Sequence, residues 1–136
     1  MYEILKSLTF CYGHRLLEHQ GKCANLHGHT ARVDITLGSD TLDELGMVMD
    51  FSAVKSALKH WIDENLDHTM LLCKSDPMVQ ILRESGERLY VMDDNPTAEN
   101  IAKAIYRQAQ KANLPVVSVT LWESDTSYAR YYETQK

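Results

Sequence analysis

The run Cys23-Ala-Asn-Leu-His27-Gly-His29, continued by Thr30-Ala-Arg-Val-Asp-Ile-Thr-Leu37, constrains the fold more than any other stretch of the chain. From Thr30 onward apolar and polar residues alternate, which is the period of a half-buried strand. Side chains on a strand switch faces at every residue. His27 and His29 therefore project to one face and head the row Ala31, Val33, Ile35 and Leu37. The pair is either a half-exposed polar pair or a two-nitrogen metal claw, to which His14, at the end of an earlier alternating run, can supply a third nitrogen. Three nitrogens leave one tetrahedral position open, the arrangement of a catalytic rather than a structural zinc. Gly28 between the histidines agrees, because a glycine inside a strand often marks close approach by a ligand or another backbone. Cys23 has two readings at this point. It is a fourth ligand that closes a non-catalytic zinc module of one cysteine and three histidines, or a nucleophile or base beside the open position. Spacing alone does not separate them.

Length and composition narrow the class. A chain of 136 residues with 44% hydrophobic content reads as one domain over residues 1–136, long enough for a sizeable core. A net charge of −5 argues against nucleic acid or an anionic membrane as partner. No apolar stretch approaches the ~18 residues of a membrane span, and the opening Met1-Tyr-Glu-Ile-Leu-Lys is not a signal peptide. Three cysteines without a regular framework point to reduced thiols and a cytoplasmic location. Of these, Cys11 and Cys73 lie in apolar surroundings and read as small packing residues.

The order of elements reads β-β-α-α-β-β. Tyr2 to Tyr12 alternates, with Ile4, Leu8 and Phe10 on one face, and is followed by a loop from Arg15 to Asn25. His27 to Leu37 is the second strand. Asp50 or Ser52 caps a helix with Val54, Leu58, Trp61 and Ile62 inward. A short helix beginning near Pro77 carries Met78, Ile81 and Leu82, and Arg88 to Met92 is a short strand. Thr97 caps a helix burying Ile101, Ala102, Ile105 and Ala109. Pro115 opens a strand through Val117, Val119, Leu121 and Glu123, and Tyr128 to Tyr132 is the last strand. Two hairpins with helices between them imply an antiparallel α+β domain with helices on one face.

Two further places carry chemistry. Asp67-His68 is an adjacent carboxylate and imidazole that forms a proton relay if both turn into one cleft, and otherwise a solvated turn pair. Alternation puts Glu123 at the end of an apolar row. A carboxylate there needs a partner, which a ligand can provide, or it simply reaches water at the strand end. His19 and His60 read as surface residues.

Taken together these pieces resemble the 6-pyruvoyl tetrahydropterin synthase and 6-carboxytetrahydropterin synthase family. The matching segments are Phe10-Cys-Tyr-Gly-His14-Arg-Leu, Lys22-Cys23-Ala-Asn-Leu-His27-Gly-His29, Gly46-Met-Val-Met-Asp50-Phe51, Leu66-Asp67-His68, Pro96-Thr97-Ala-Glu99-Asn100 and Trp122-Glu123-Ser. They occur in the family's order and span nearly the whole chain. The resemblance implies the tunnelling fold (T-fold), with a four-stranded antiparallel sheet, closed by oligomerisation into a trimer or hexamer whose active sites lie at subunit interfaces.

The resemblance also implies roles. His14, His27 and His29 would hold zinc (Zn2+), and Cys23 would be the catalytic thiolate. Asp67 and His68 would complete a proton relay, and Glu123 would accept the pterin N–H edge in bidentate fashion, with Thr97 and Glu99 nearby. The substrate would be 7,8-dihydroneopterin triphosphate, with Lys22, Arg15 and Arg32 as candidate cations for its triphosphate. Three residues between Cys23 and His27 favour the carboxy-forming enzymes of queuosine precursor synthesis. The pyruvoyl-forming enzymes of tetrahydrobiopterin synthesis, the alternative, typically have a longer gap. One departure is Tyr12-Gly13 before His14, where the family more often has small residues such as alanine, so the difference falls on the pocket wall. A zinc hydrolase or deaminase is disfavoured, since neither His-Glu-x-x-His nor Pro-Cys-x-x-Cys occurs.

Overall fold

The computed structural model describes residues 1–134, so the last two residues of the expected 1–136 domain lie outside the described residues. Strands β1 (Tyr2–His14) and β2 (His27–Ser39) form one long antiparallel ribbon, paired from Tyr2 opposite Ser39 to His14 opposite His27. The alternation read from the sequence sets its two faces. Phe10, Ala31, Val33, Ile35 and Leu37 are buried on the inner face. Between the strands, a 3-10 turn at Lys22–Ala24 is closed by the Leu16 amide donating to the Cys23 carbonyl at 2.8 Å.

Helix α1 (Phe51–Asn65) begins where the Asp50 carboxylate accepts the Ser52 amide at 2.8 Å, and it buries Val54, Leu58 and Ile62. Strand β3 (Thr69–Cys73) leads to helix α2 (Met78–Glu84) and strand β4 (Leu89–Met92). Thr97 caps helix α3 (Ala98–Lys111) by accepting the Asn100 amide at 3.1 Å, and this helix buries Ile101, Ala102, Ile105, Tyr106 and Ala109. Strands β5 (Val116–Ser124) and β6 (Ser127–Tyr132) complete the chain. Residues of α1 and α3 join those of β1, β2 and β5 in one core. Full burial of an aliphatic side chain such as Ile35 or Leu37 is worth ~1.5–3 kcal/mol.

The α+β class stands, but the expected four-stranded antiparallel sheet in β-β-α-α-β-β order does not. The sheet has six strands in the order β4-β3-β1-β2-β5-β6, and β1–β3 and β3–β4 are parallel. Reading Thr69-Met-Leu-Leu-Cys73 as strand was missed because a short apolar run buried on both sides carries no alternation to distinguish it from a helix segment. Two core assignments also change. On α2 the buried residue is Val79, while Ile81 is 52% exposed. On β5 the register shifts at Thr36/Leu37, which sets Val116 rather than Val117 opposite Leu37 and against the core. The expected row through Val117 is broken by this bulge.

Candidate metal centre

The inner face of the β1–β2 ribbon changes character over its last residues. Beyond Phe10 and Ala31 it carries Tyr12 opposite His29 and His14 opposite His27. The three histidines offer ring nitrogens that all lie within 4.8 Å of one another. Their ring centroids are 4.5 to 5.1 Å apart, so the imidazoles converge rather than stack on separate neighbours. The group contains no sulfur among the described residues. Cys23 sits half-buried in the Lys22–Ala24 turn that precedes His27.

Backbone carbonyls set the imidazole orientations. His14 Nδ1 lies 2.6 Å from the Pro96 carbonyl and His27 Nδ1 2.7 Å from the Asn25 carbonyl. A carbonyl only accepts, so both Nδ1 atoms carry the proton and both Nε2 atoms keep a free lone pair. This is the outer hydrogen bonding typical of metal-ligating histidines. His14 Nε2 is buried without any hydrogen-bond partner among the described residues. Such an orphan is costly unless something else meets its lone pair, and a cation does so. Burial, with two imidazoles alongside, holds the His14 pKa below its ordinary value despite the Pro96 carbonyl, which favours the neutral, ligating form. The donor set fits zinc.

Glu123 joins this cluster. The β5–β6 register shifts between Trp122 and Ser124, leaving Glu123 outside the cross-strand pairing. Its Oε1 accepts the Tyr12 hydroxyl at 3.1 Å and lies 3.9 Å from His14 Nε2. The alternative of a strand-end glutamate that merely reaches water does not describe it. Burial and then the Glu123 carboxylate push the Tyr12 pKa far up, so the phenol is a donor at neutral pH. The sequence places Tyr12 on the pocket wall without a role of its own. Its position two before His14 on a strand, and hence on the same face, was the available signal.

The Asp67-His68 pair is built at the end of α1. Asp67 Oδ1 accepts the Cys11 amide at 2.9 Å, Oδ2 meets His68 Nδ1 at 2.9 Å, and the His68 amide donates to the Cys11 carbonyl at 2.6 Å. Burial pushes the Asp67 carboxyl up, but the Cys11 amide and His68 hold it below its ordinary value. His68 has φ of 55°, a left-handed backbone that a histidine adopts only when its surroundings enforce it. Its imidazole, 74% exposed, and His29 both line a cleft of about 510 Å³ with Cys11, Thr30, Met70 and Arg88. Cys11 thus holds Asp67 and His68 through its backbone, beyond the packing role expected of it.

Thr97 is the α3 cap and Glu99 is exposed on its first turn. Arg15 is paired with Asp76, with contacts of 2.7 and 2.5 Å. Arg32 lies over the Trp122 ring and 3.2 Å from Asp34.

A sequence model of the family described as 6-pyruvoyl tetrahydropterin synthase matches residues 3–134. The 6-carboxy-5,6,7,8-tetrahydropterin synthase of Rickettsia conorii is 38% identical over 135 residues, covering 94% of this chain and 98% of that protein. The crystal structure of an uncharacterized Wolinella succinogenes protein superposes with a TM-score of 0.81 at 29% identity, over 98% of both chains. The 6-pyruvoyl tetrahydropterin synthase of Caenorhabditis elegans superposes with a TM-score of 0.73 at 20% identity, over 98% of this chain and 96% of that one, which speaks to the fold alone.

Proposed function

We propose, from the premise that this chain belongs to the 6-pyruvoyl tetrahydropterin synthase family, that it is a zinc-dependent 6-carboxy-5,6,7,8-tetrahydropterin synthase. It converts 7,8-dihydroneopterin triphosphate and water to 6-carboxy-5,6,7,8-tetrahydropterin, acetaldehyde and triphosphate, a step toward a queuosine precursor. The observation that carries the reading is the buried, unpartnered Nε2 of His14 among the nitrogens of His27 and His29, with Glu123 beside it. The Rickettsia conorii relative and the three-residue gap between Cys23 and His27 favour the carboxy product over the pyruvoyl one.

In this reading His14, His27 and His29 hold the zinc, which when bound lowers the pKa of a substrate side-chain hydroxyl. Glu123 accepts two adjacent pterin N–H groups and orients the ring. Cys23, as thiolate, removes a side-chain proton and returns it to the neighbouring carbon. Asp67 holds His68, which passes the proton onward. Thr97 keeps an O–H to donate after accepting the Asn100 amide. Glu99 offers a carboxylate on the first turn of α3. Of the candidate cations for the triphosphate, Arg15 and Arg32 each pair with a carboxylate, while Lys22, next to Cys23, has no such pair among the described residues.

The assembly is read in the same way. Strands β4 and β6 end the sheet with unpaired edges. Subunits joining there close a trimeric barrel that pairs into a hexamer, and Cys23 of one subunit meets Asp67 and His68 of another. Three free cysteines suit a cytoplasmic protein, and no helix among the described residues is long and apolar enough to cross a membrane.

The test is product analysis after incubation with 7,8-dihydroneopterin triphosphate and zinc. Acetaldehyde trapped as a hydrazone, in step with triphosphate release, is the expected result. Triphosphate without aldehyde would give the pyruvoyl assignment instead. Inactive Cys23→Ala and His68→Ala subunits should recover part of the activity when refolded together. No recovery in verified mixed oligomers would place each site within one chain.

A further inference from the structure

We infer that Tyr12 is a positioning residue whose phenol fixes the Glu123 carboxylate in the orientation that receives the ligand's adjacent N–H groups. This rests on the reading of Glu123 as the pterin anchor. The two partners differ in how firmly they are held. Tyr12 is 3% exposed, and its ring is fixed by Phe10 at 5.6 Å, His14 at 5.0 Å and His29 at 5.6 Å between centroids. Close packing on these sides restrains the ring. Its hydroxyl is therefore a fixed point in the site. Glu123 lacks such support, because it lies at the bulge outside the β5–β6 pairing and its side chain is 27% exposed. A glutamate in that position loses several rotamers when a ligand binds, unless the protein has already removed them.

The Tyr12 hydroxyl removes them. It donates to Oε1 at 3.1 Å, while Oε2 has no hydrogen-bond partner among the described residues. A carboxylate oxygen accepts more than one hydrogen bond, so Oε1 keeps capacity for a ligand N–H after accepting from the phenol. The phenol thus selects an orientation without consuming the bidentate face. Because the same ring packs against His14 and His29, the orientation of Glu123 is referenced to the histidine group rather than to the β5–β6 turn.

The test uses equilibrium binding of 7,8-dihydroneopterin to the zinc-loaded protein, followed by ligand fluorescence, with zinc content and melting temperature measured alongside. Tyr12→Phe removes only the hydroxyl. It should weaken binding about tenfold, the scale of one hydrogen bond to a charged group, with zinc content and melting unchanged. In turnover, KM should rise by a similar factor while kcat stays within about twofold. Glu123→Asp keeps the charge but shortens the arm away from the phenol. In that background Tyr12→Phe should add less than about twofold, since the contact is already gone. Wild-type affinity in Tyr12→Phe, or the same tenfold loss in the Glu123→Asp background, would overturn the role assigned to Tyr12. Loss of zinc in Tyr12→Phe would also overturn it, making the phenol part of the metal group. Wild-type protein that fails to bind the pterin overturns the anchor reading itself, and the two failures are thereby told apart.

Discussion

At the Ile35–Leu37 end of the β1–β2 ribbon the inner face is buried in one apolar core shared with residues of α1 and α3. At the His14–His27 end of that same face, three imidazoles, a phenol and a carboxylate converge, and one buried nitrogen has no partner among the described residues. Both ends share one ladder and one alternation. They differ in what holds the side chains. Apolar packing is non-directional and tolerates small shifts, whereas the polar end depends on particular donors and acceptors, such as the Pro96 and Asn25 carbonyls behind His14 and His27. The apolar core and the candidate site are thus separated along a single pair of strands.

The sharpest way to break this comparison is to remove groups at the polar end. His29→Ala should abolish zinc binding and turnover together while the apolar end keeps the chain folded. Cys23→Ala should retain zinc and lose ~10²–10⁴-fold in turnover, the scale of a lost general base. Metal analysis beside activity decides it, and zinc loss in Cys23→Ala would favour a closed structural site. Cutting the apolar end should do the reverse. Ile35→Ala should cost ~2–5 kcal/mol in denaturant unfolding, with zinc content and activity per folded molecule preserved.

A narrower change sharpens the contrast within the polar end. Glu123→Gln replaces one acceptor by a donor facing the pterin N–H edge and should cost roughly 2–5 kcal/mol in pterin binding. Zinc content should not change, and unaltered pterin affinity would leave Glu123 as an acceptor for the Tyr12 hydroxyl with no part in ligand binding. The smallest effect concerns the support behind the site. Arg15, next to His14, is hydrogen-bonded to Asp76, which first of all holds that buried carboxyl below its ordinary pKa. A lowered native pKa gives stability that is present above about pH 4, the ordinary carboxylate value, and is lost as pH falls through the native one. Asp76→Asn should remove ~1–3 kcal/mol at neutral pH and flatten this acid limb. Unfolding midpoints measured from acid to neutral pH would show it, and an unchanged acid limb would remove Asp76 from the account.

The two ends were also unequally legible. The alternation after Thr30 placed His27, His29 and the row Ala31 to Leu37 on one face, and the structure bears this out residue by residue. The cap at Thr97 was readable, and the cap at Asp50 was one of two candidates with Ser52, because a cap is a local event between a side chain and an amide two or three residues on. Strand β3 was not readable, since its five residues show no period and its partners β1 and β4 are distant in the chain. Nor was Val116 in place of Val117, because a bulge depends on the register of the facing strand.

What the sequence determined by itself was therefore the content of each strand face and helix cap, including which histidines could act together. Periodicity and capping are short-range, and backbone geometry converts them directly into direction. Tertiary structure alone decided that the sheet continues through β3 and β4, that Pro96 meets His14 from across the chain, and that Tyr12 holds Glu123. Each of these joins residues far apart in sequence, and only the packed sheet brings them within hydrogen-bonding distance.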